Sequence, residues 1–385
     1  VWPAPAELTA RLAPEARALL EPLVGACRPD ASSAPRSESA LRLPLSTLHE
    51  FLSSPLQAWG KRRLGFRDAD DADVLAGDDE PFSTSILDAT VLLRAAFYDA
   101  LAAVPVGTPF EEAPLERALD ARILRAELEG RLPTGVFLRV ERGRHLYVLE
   151  SWRRNVARHF DDATLRSLAI HRFGQATRRG TSDVLAPPVE VEVDLGTPQE
   201  PHVVQVRLHG STLPVLPGQS GTLQLVLAKK ASQRHVVRGF LDHVVLAATG
   251  NTCEGPFRAV VSPGGWANLE YPKHYRGIRP FTCEEARDYL QLLLRQFLGG
   301  PHEVLFPIDV TAPYVEEWHR EGVAPGGLAA RIQASRDDGW NRDSDDYGPV
   351  PQPGRFAPPT DGEALAWARL GPLVTRRVEP EEVSS

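Results

Sequence analysis

The apolar period of the chain changes at residues 185–188, and this change limits the folds that the chain can adopt. Before it, residues 83–130 repeat apolar side chains at helical spacing, as in "SILDATVLLRAAFYDALAAV". After it, the segments "VEVEVDL", "HVVQVRLHG" and "GTLQLVLAKK" alternate apolar and polar residues, which predicts strands. Helical spacing returns in "QRHVVRGFLDHVVLAATG". This order predicts an α/β fold in which helices flank a mixed central sheet.

Local signals divide the chain and refine the prediction. Residues 1–40 are predicted to form an N-terminal helix and linker, and residues 41–385 a single domain. Ser46 is a candidate N-cap, and residues 147–173 are predicted to be helical. The segment "FRAVVSPGGWANLEYP" is typical of a strand pair. Thr282 and Glu285 have capping-box spacing at the start of "TCEEARDYLQLLLRQFLGG", and residues 301–385 are predicted to be irregular apart from a short helix near "EALAWARL".

Composition and motifs exclude several classes of protein. Three cysteines without a C-x-x-C pair are too few for a disulfide framework or a zinc ribbon. Gly60–Lys61 is the one Gly-Lys step, and it lacks the rest of a P-loop. No apolar run approaches the roughly 18 residues of a membrane helix. We therefore expect a reduced, cytoplasmic protein that does not hydrolyse ATP through a P-loop.

Positive charge is concentrated in one part of an acidic chain. The formal net charge is −8, but residues 131–180 contain 11 arginines and only four acidic residues. This segment combines Trp152 with cationic side chains, which suits base stacking and phosphate contact. The other interpretation is a helix with an ordinary solvated arginine face. The candidate DNA-binding residues are Arg153, Arg154, Arg158, Arg172, Arg178 and Arg179.

Three carboxylates alternate with valines in the first predicted strand. Glu190, Glu192 and Asp194 share one face, because side chains alternate along a strand. They could bind a divalent metal, but such a row more often forms the solvated face of a half-buried strand. His235 and His243 are two helical turns apart, a spacing that does not chelate one ion, so we expect them to serve packing or the surface.

Several segments resemble a known family of DNA-processing proteins. The opening "LSTLHEFLSSPLQAWGKRRLGF" is similar to that of RecB-family nuclease domains. The segments "DDEPF", "RILRAELEGRLPTG", "VRLHGSTLPV" and "VVRGFLDHVVLAATG" follow in the order seen in the RecC family, the exodeoxyribonuclease V gamma subunits. Further likeness in "CEEARDYLQLLLRQFLGGPHEVLFP" and "DGWNRDSDDYGP" extends the resemblance to the C-terminal nuclease-like domain over residues 41–385.

The resemblance implies a PD-(D/E)xK nuclease-like fold without its active site. Active members use two carboxylates to hold Mg²⁺ and a lysine to position water. Here Leu213 and Leu227 stand at the two carboxylate positions, and Lys229 retains the lysine position. The resemblance thus implies no catalytic residues, no metal and no cofactor.

The implied role is that of a non-catalytic scaffold. In this family the domain guides DNA in a RecBCD-type complex for double-strand break repair, together with a RecB-type helicase–nuclease subunit and a RecD-type helicase subunit. Two alternatives remain open. The first is an active Mg²⁺-dependent nuclease with a displaced carboxylate set drawn from Glu190, Glu192, Asp194 and Asp242. The second is a protein-interaction module without DNA contact.

Overall fold

The computed structural model describes most of the chain from residue 40 onward. The described ranges are 40–63, 83–105, 108–177, 183–197, 199–228, 230–264, 274–300, 304–337 and 359–378. Contacts divide the chain into two units, Val1–Leu41 and Arg42–Ser385. The predicted N-terminal helix and linker lie outside the described residues, apart from Ala40, and the account below concerns the second unit.

Helices and strands alternate in the order that a mixed α/β protein requires. The helices are α1 (Leu45–Ser53), α2 (Pro55–Arg63), α3 (Ile86–Ala103), α4 (Glu112–Leu128), α5 (Gly135–Ala157), α6 (Asp162–Arg166), α7 (Gln233–Ala248), α8 (Cys283–Gly299), α9 (Ile308–Glu321), α10 (Leu328–Asp337) and α11 (Gly362–Thr375). The strands are β1 (Leu41–Pro44), β2 (Ile170–Phe173), β3 (Asp183–Ala186), β4 (Val189–Asp194), β5 (Val203–Ser211), β6 (Gly221–Val226), β7 (Phe257–Pro263) and β8 (Tyr275–Ile278).

The strands form two mixed sheets instead of the single central sheet that the sequence predicts. The first has the order β1-β5-β2-β3, with β4 also pairing with β5. The second has the order β6-β7-β8, in which β6 and β7 are parallel and β8 is antiparallel. Val215 links the two sheets because it bridges both Ala169 and Thr222. The mixed α/β class is therefore confirmed, although the strands are divided between two sheets.

Helix α7 connects the two parallel strands and lies directly on them. Its apolar side chains, including Phe240 and Val244, are fully buried. Gly239 permits the close approach, because a Cβ atom there would lie 2.9 Å from both the Ala259 Cβ and the Thr222 Oγ1. A larger residue at position 239 would push the helix away from β6 and β7.

The opposite face of β6 is covered by helices α3 and α5. Leu223 and Leu225 of β6 belong to one buried cluster with Phe97 of α3 and Trp152 of α5. Trp152 is fully buried, and its indole N–H donates to the carbonyl of Val226 over 3.1 Å. Strand β6 is thus enclosed between two layers of helices, which explains why five of its six residues are buried.

Several local predictions are confirmed. The predicted helices within residues 83–130 are α3 and α4, and the three alternating segments are β4, β5 and β6. Thr282 accepts from the Glu285 N–H, and the Glu285 carboxylate accepts from the Thr282 N–H, so the capping box of α8 is formed.

Other local predictions are wrong. The segment 147–173 is not one helix, because α5 ends at Ala157 and strand β2 begins at Ile170. The partner of β7 is β8, which lies after the predicted strand pair. Residues 301–385 are not irregular, because they contain α9 and α10, whereas the helix predicted near "EALAWARL" is confirmed as α11. Pro44, not Ser46, is the N-cap of α1.

The packing roles expected for the two histidines of α7 are confirmed. His235 completes a capping box with Ser232, because its Nδ1 accepts from the Ser232 N–H over 3.0 Å. His243 is buried, and its ring stacks on Phe257 with 4.2 Å between the ring centroids. Burial disfavours the charged ring and lowers the pKa of each histidine to about 4, and His49 of α1 is lowered to about 4 in the same way.

Acid is expected to destabilise the domain through these three histidines. In the unfolded chain they take up protons below about pH 6.5, whereas the folded state resists protonation until about pH 4. The free energy of unfolding should therefore fall as the pH falls from 6.5 to 4. Urea denaturation at a series of pH values gives the slope of the unfolding free energy against pH, which counts the protons taken up on unfolding. For His243→Phe this count should be smaller by about one proton. An unchanged slope for His243→Phe, or an equal reduction for the exposed control His319→Gln, would contradict this explanation.

Candidate functional site

Leu213 lies in the turn that follows strand β5, with its side chain half-buried. Its backbone N–H donates to the Oδ2 atom of Asp242 over 2.8 Å. Helix α7 therefore supplies a carboxylate near the position where the resemblance implies a metal ligand. That carboxylate already holds a backbone group, and the Leu213 side chain offers no oxygen.

Asp242 is itself fixed by a second residue of α7. Arg238 lies 3.6 Å from the Asp242 carboxylate and also donates to the carbonyl of Ser211 over 2.7 Å. Burial raises the pKa of Asp242 to about 6, and Arg238 and the Leu213 N–H oppose that rise only in part. The three contacts clamp the end of β5 onto α7, so we call Asp242 and Arg238 the clamp pair.

Leu227 follows strand β6 and packs against the apolar cluster beneath α3 and α5. The backbone of Gly264 lies close to it, because a Cβ atom at Gly264 would be 3.2 Å from the Leu227 carbonyl oxygen. The Leu227 side chain thus extends the core. Lys229, the third position implied by the resemblance, lies outside the described residues.

The register of the strands identifies a residue that the sequence did not. The bridge between Val215 and Thr222 is antiparallel, and the Leu223 N–H donates to the Pro214 carbonyl over 2.9 Å. Continuing that register places Gln224 opposite Leu213. The Gln224 Oε1 atom is buried and finds no hydrogen-bond donor among the described residues. Gln224 is uncharged, so neither Leu227 nor the residue that faces Leu213 supplies a carboxylate.

The three carboxylates of β4 form a solvated strand face. Val189, Val191 and Val193 are buried, whereas Glu190 and Glu192 are exposed. Glu190 pairs with Arg207 over 2.8 Å, and Glu192 accepts from the Gln205 amide.

Asp194 closes the β4–β5 hairpin. Its Oδ1 atom accepts from the N–H groups of Gly196 and His202, each over 2.9 Å, and these bonds lower its pKa. Within the ranges that the structure describes, no group of three or more His, Cys, Asp or Glu side chains is placed to hold a metal ion. The displaced carboxylate set therefore gains no support, and the described residues at the implied Mg²⁺ position do not fit that ion.

Two of the candidate DNA-binding arginines are half-buried and paired with carboxylates of this chain. Arg172 of β2 pairs with the buried carboxylate of Asp183 on β3 over 2.5 Å. Arg153 makes two hydrogen bonds of 2.7 Å to the Glu150 carboxylate and a third, over 3.0 Å, to the Phe110 carbonyl. These contacts give both arginines a structural role. The prediction that Trp152 stacks on bases is wrong, because the ring is fully buried.

Arg154 and Arg158 are exposed on the outer surface of α5. The side chain of Arg154 is half exposed and shares the Glu150 carboxylate with Arg153. Burial raises the pKa of Glu150, but hydrogen bonds from Arg153 and Arg154 outweigh that effect and the pKa lies below its usual range. Arg178 and Arg179 lie outside the described residues.

A cationic and aromatic surface that the sequence did not reveal continues from Arg158. His159 contacts Tyr275 with 5.9 Å between ring centroids, and the Arg258 guanidinium lies 5.6 Å from the centre of the Phe160 ring. The pKa of His159 is lowered by partial burial and by the charges of Arg158 and Arg258. We define the basic patch as Arg154, Arg158, His159, Arg258 and Tyr275. The sequence could not predict this patch, because Arg258 and Tyr275 lie about 100 residues after α5 and only the fold brings them together.

Comparison with known proteins gives one family match. A family model described as the RecC C-terminal domain matches residues 40–319, which is 280 of the 385 residues. No curated protein matches the chain. The match includes the clamp pair, Leu213, Leu227 and all of the basic patch. The resemblance predicted for residues 320–385 falls outside it and stays a prediction.

The clamp pair generates a prediction with a defined sign. Burial raises the pKa of Asp242 to about 6, so this group ionises less readily in the folded state than in the unfolded chain. The folded state therefore loses stability as the pH rises from 4 to 6. Asp242→Asn keeps an oxygen acceptor for the Leu213 N–H but cannot ionise. The free energy of unfolding of the native chain, relative to this variant, should fall by on the order of 3 kcal/mol between pH 4 and pH 7.

Urea denaturation of both proteins across this pH range measures the difference. The control is Glu200→Gln, which removes one negative charge at an exposed position and should leave the pH dependence of the unfolding free energy unchanged. A constant difference between the native chain and Asp242→Asn would show that burial does not control the ionisation of Asp242.

Proposed function

The chain belongs to the RecC C-terminal domain family, and from this premise we propose that it is a non-catalytic domain that guides DNA and serves as a scaffold. Membership of the family implies a role in a RecBCD-type exodeoxyribonuclease V complex, which acts in DNA repair and recombination with RecB and RecD partners. The non-catalytic role, the DNA path and the residues that form it are our proposal.

The order of elements around α7 supports a nuclease-like fold. A hairpin of β4 and β5 leads into β6, and α7 then connects β6 to the parallel strand β7. This order is the one expected if the domain derives from the PD-(D/E)xK nucleases that its opening segment resembles. In that fold the catalytic groups lie where β5 ends and where β6 ends, which are the positions of Leu213 and Leu227.

The observation that carries the proposal is the chemistry at those two positions. Mg²⁺ prefers oxygen ligands, above all carboxylates. Leu213 and Leu227 supply none, and Gln224, opposite Leu213, is neutral. Asp242, a buried carboxylate nearby, already accepts the Leu213 N–H and lies beside Arg238. A cation would therefore have to displace an existing ion pair and a backbone hydrogen bond.

The basic patch supports contact with DNA. Arginine side chains pair with phosphates, and aromatic rings such as Tyr275 stack on unpaired bases. The adjacent acidic residues Asp161 and Asp162 are occupied locally, since Asp161 caps α6 and Asp162 accepts from the Phe110 N–H. Both carboxylates are therefore held by contacts at α6, and the patch as defined contains three arginines and no acidic residue.

Removing charge from the patch should weaken binding to forked DNA. Arg154→Gln with Arg158→Gln should lower the affinity and reduce the slope of log K against log salt by about 0.7 to 0.9 for each phosphate that is no longer neutralised. Fluorescence anisotropy of a labelled fork at several salt concentrations measures both. The matched control is Arg117→Gln with Arg139→Gln, which removes the same charge from exposed positions on α4 and α5. Equal effects of the two double variants would contradict a localised DNA path.

The purified chain should not cleave DNA in the presence of Mg²⁺ or Mn²⁺. The expected result is intact single-stranded and double-stranded substrate after incubation with either metal, because the described residues form no carboxylate set for the ion. Glu190→Gln with Asp194→Asn is the control that separates the protein from a contaminating nuclease. Cleavage by the native chain that this double variant abolishes would overturn the non-catalytic proposal.

A further inference from the structure

Among the described strands, β4 pairs with β5 alone, and its other edge carries no strand. It pairs with β5 through Val189, Val191 and Val193, and the hairpin closes with the Leu195 N–H donating to the His202 carbonyl over 2.8 Å. In an antiparallel pair, the residues between those that exchange hydrogen bonds direct their N–H and C=O groups away from the partner. Glu190 and Glu192 are therefore the residues whose backbone groups point outward.

One contact confirms this orientation and mimics an additional strand. The side-chain amide of Gln291 on α8 donates to the Glu192 carbonyl over 3.0 Å. A backbone N–H of an added strand would make the same bond. Among the described residues, no group bonds to the N–H of Glu190, the N–H of Glu192 or the C=O of Glu190.

A groove runs along this edge between β4 and α8. It consists of two adjoining cavities of about 380 Å³ and 390 Å³, which share Asp288 and Gln291. The side chains of Arg287, Asp288, Gln291 and Arg295 lie on the exposed surface of α8 and form one wall. The lining of the groove follows β4 from Glu190 to Asp194, so its length suits an extended chain more than a compact ligand.

The charges in the groove define the occupant. Four carboxylates line the two cavities against two guanidinium groups, and one of the four, Glu190, already pairs with Arg207, so the lining is net negative. The Arg287 Nε already donates to the Ala248 carbonyl over 3.0 Å. Asp288 is exposed, lines both cavities and makes no ion pair with any described residue. A cationic side chain of the occupant would meet Asp288 at the centre of the groove.

We propose that an extended, net basic segment of a partner protein binds in this groove as an additional strand on β4. Its backbone pairs with the outward groups of Glu190 and Glu192, replacing the Gln291 contact, and a lysine or arginine pairs with Asp288. Exposed sheet edges are open to such pairing unless they are covered, and here the cover is the Gln291 amide. The inference does not depend on the DNA-guiding proposal, because it concerns a different surface.

Binding of a model strand to the full chain tests the inference. The probe is a fluorescently labelled ten-residue peptide of alternating valine and lysine, measured by fluorescence polarisation. A valine–glutamate peptide of equal length tests whether the groove prefers a basic occupant to an acidic one. A valine–lysine peptide carrying N-methyl groups on one edge tests the backbone pairing, because methylation removes the N–H donors without changing charge.

Glu192→Pro removes the outward N–H and the carboxylate of that residue but no N–H of the ladder to β5, because that ladder uses the neighbouring odd-numbered residues. Glu192→Ala removes the same side chain but keeps the N–H and is its matched control for the charge. We expect the valine–lysine peptide to bind at least tenfold more weakly to Glu192→Pro than to Glu192→Ala. The N-methylated peptide should bind the native chain at least tenfold more weakly than its parent.

A change on the helix tests the inference without altering the strand. Asp288→Lys should weaken the valine–lysine peptide and strengthen the valine–glutamate peptide, so the test survives if Glu192→Pro does not fold. Equal binding of the parent and N-methylated peptides, tighter binding of the acidic peptide to the native chain, or no binding of any peptide would overturn the inference. Dimerisation of the native chain that Glu192→Pro abolishes would assign the edge to a second copy instead.

Discussion

The hydrogen bond from the Leu213 N–H to the buried carboxylate of Asp242 is the interaction on which the arrangement of the site depends. It joins the end of β5 to α7, the helix that connects β6 to β7. Arg238 extends the connection by donating to Ser211 on β5. Burial makes this carboxylate costly, as its raised pKa indicates, and the two contacts offset part of that cost. The place where the resemblance implies a metal ligand is here a point of attachment between β5 and α7.

The sequence predicted the elements whose signals are local. The alternation of Val189 to Asp194 identified β4 and its solvated face, and the spacing of Thr282 and Glu285 identified the start of α8. The resemblance also assigns Leu213 and Leu227 to the two metal-ligand positions, and that assignment stays a prediction. In each case a few neighbouring residues contain the information, because capping and strand alternation are set within one or two turns.

The remaining features depend on contacts between distant segments. Strand β2 has four residues, too few for a period, and its place is fixed by pairing with β3 and β5. Helix α9 contains Pro313, a residue type that disfavours helix interiors, and it packs against α11, which is distant in sequence. Arg153 and Arg154 are neighbours in the sequence, yet one is tied to the Phe110 carbonyl and the other faces outward. Composition alone cannot separate structural arginines from exposed ones.

Diffraction from crystals of this protein grown with Mn²⁺ would test the central claim most directly. The anomalous signal of Mn²⁺ locates the ion independently of the protein atoms. The account predicts no anomalous peak beside Leu213 and Leu227, with Asp242 still bonded to the Leu213 N–H. A peak at that position, ligated by acidic side chains, would contradict the claim that the nuclease-like fold here no longer holds its metal.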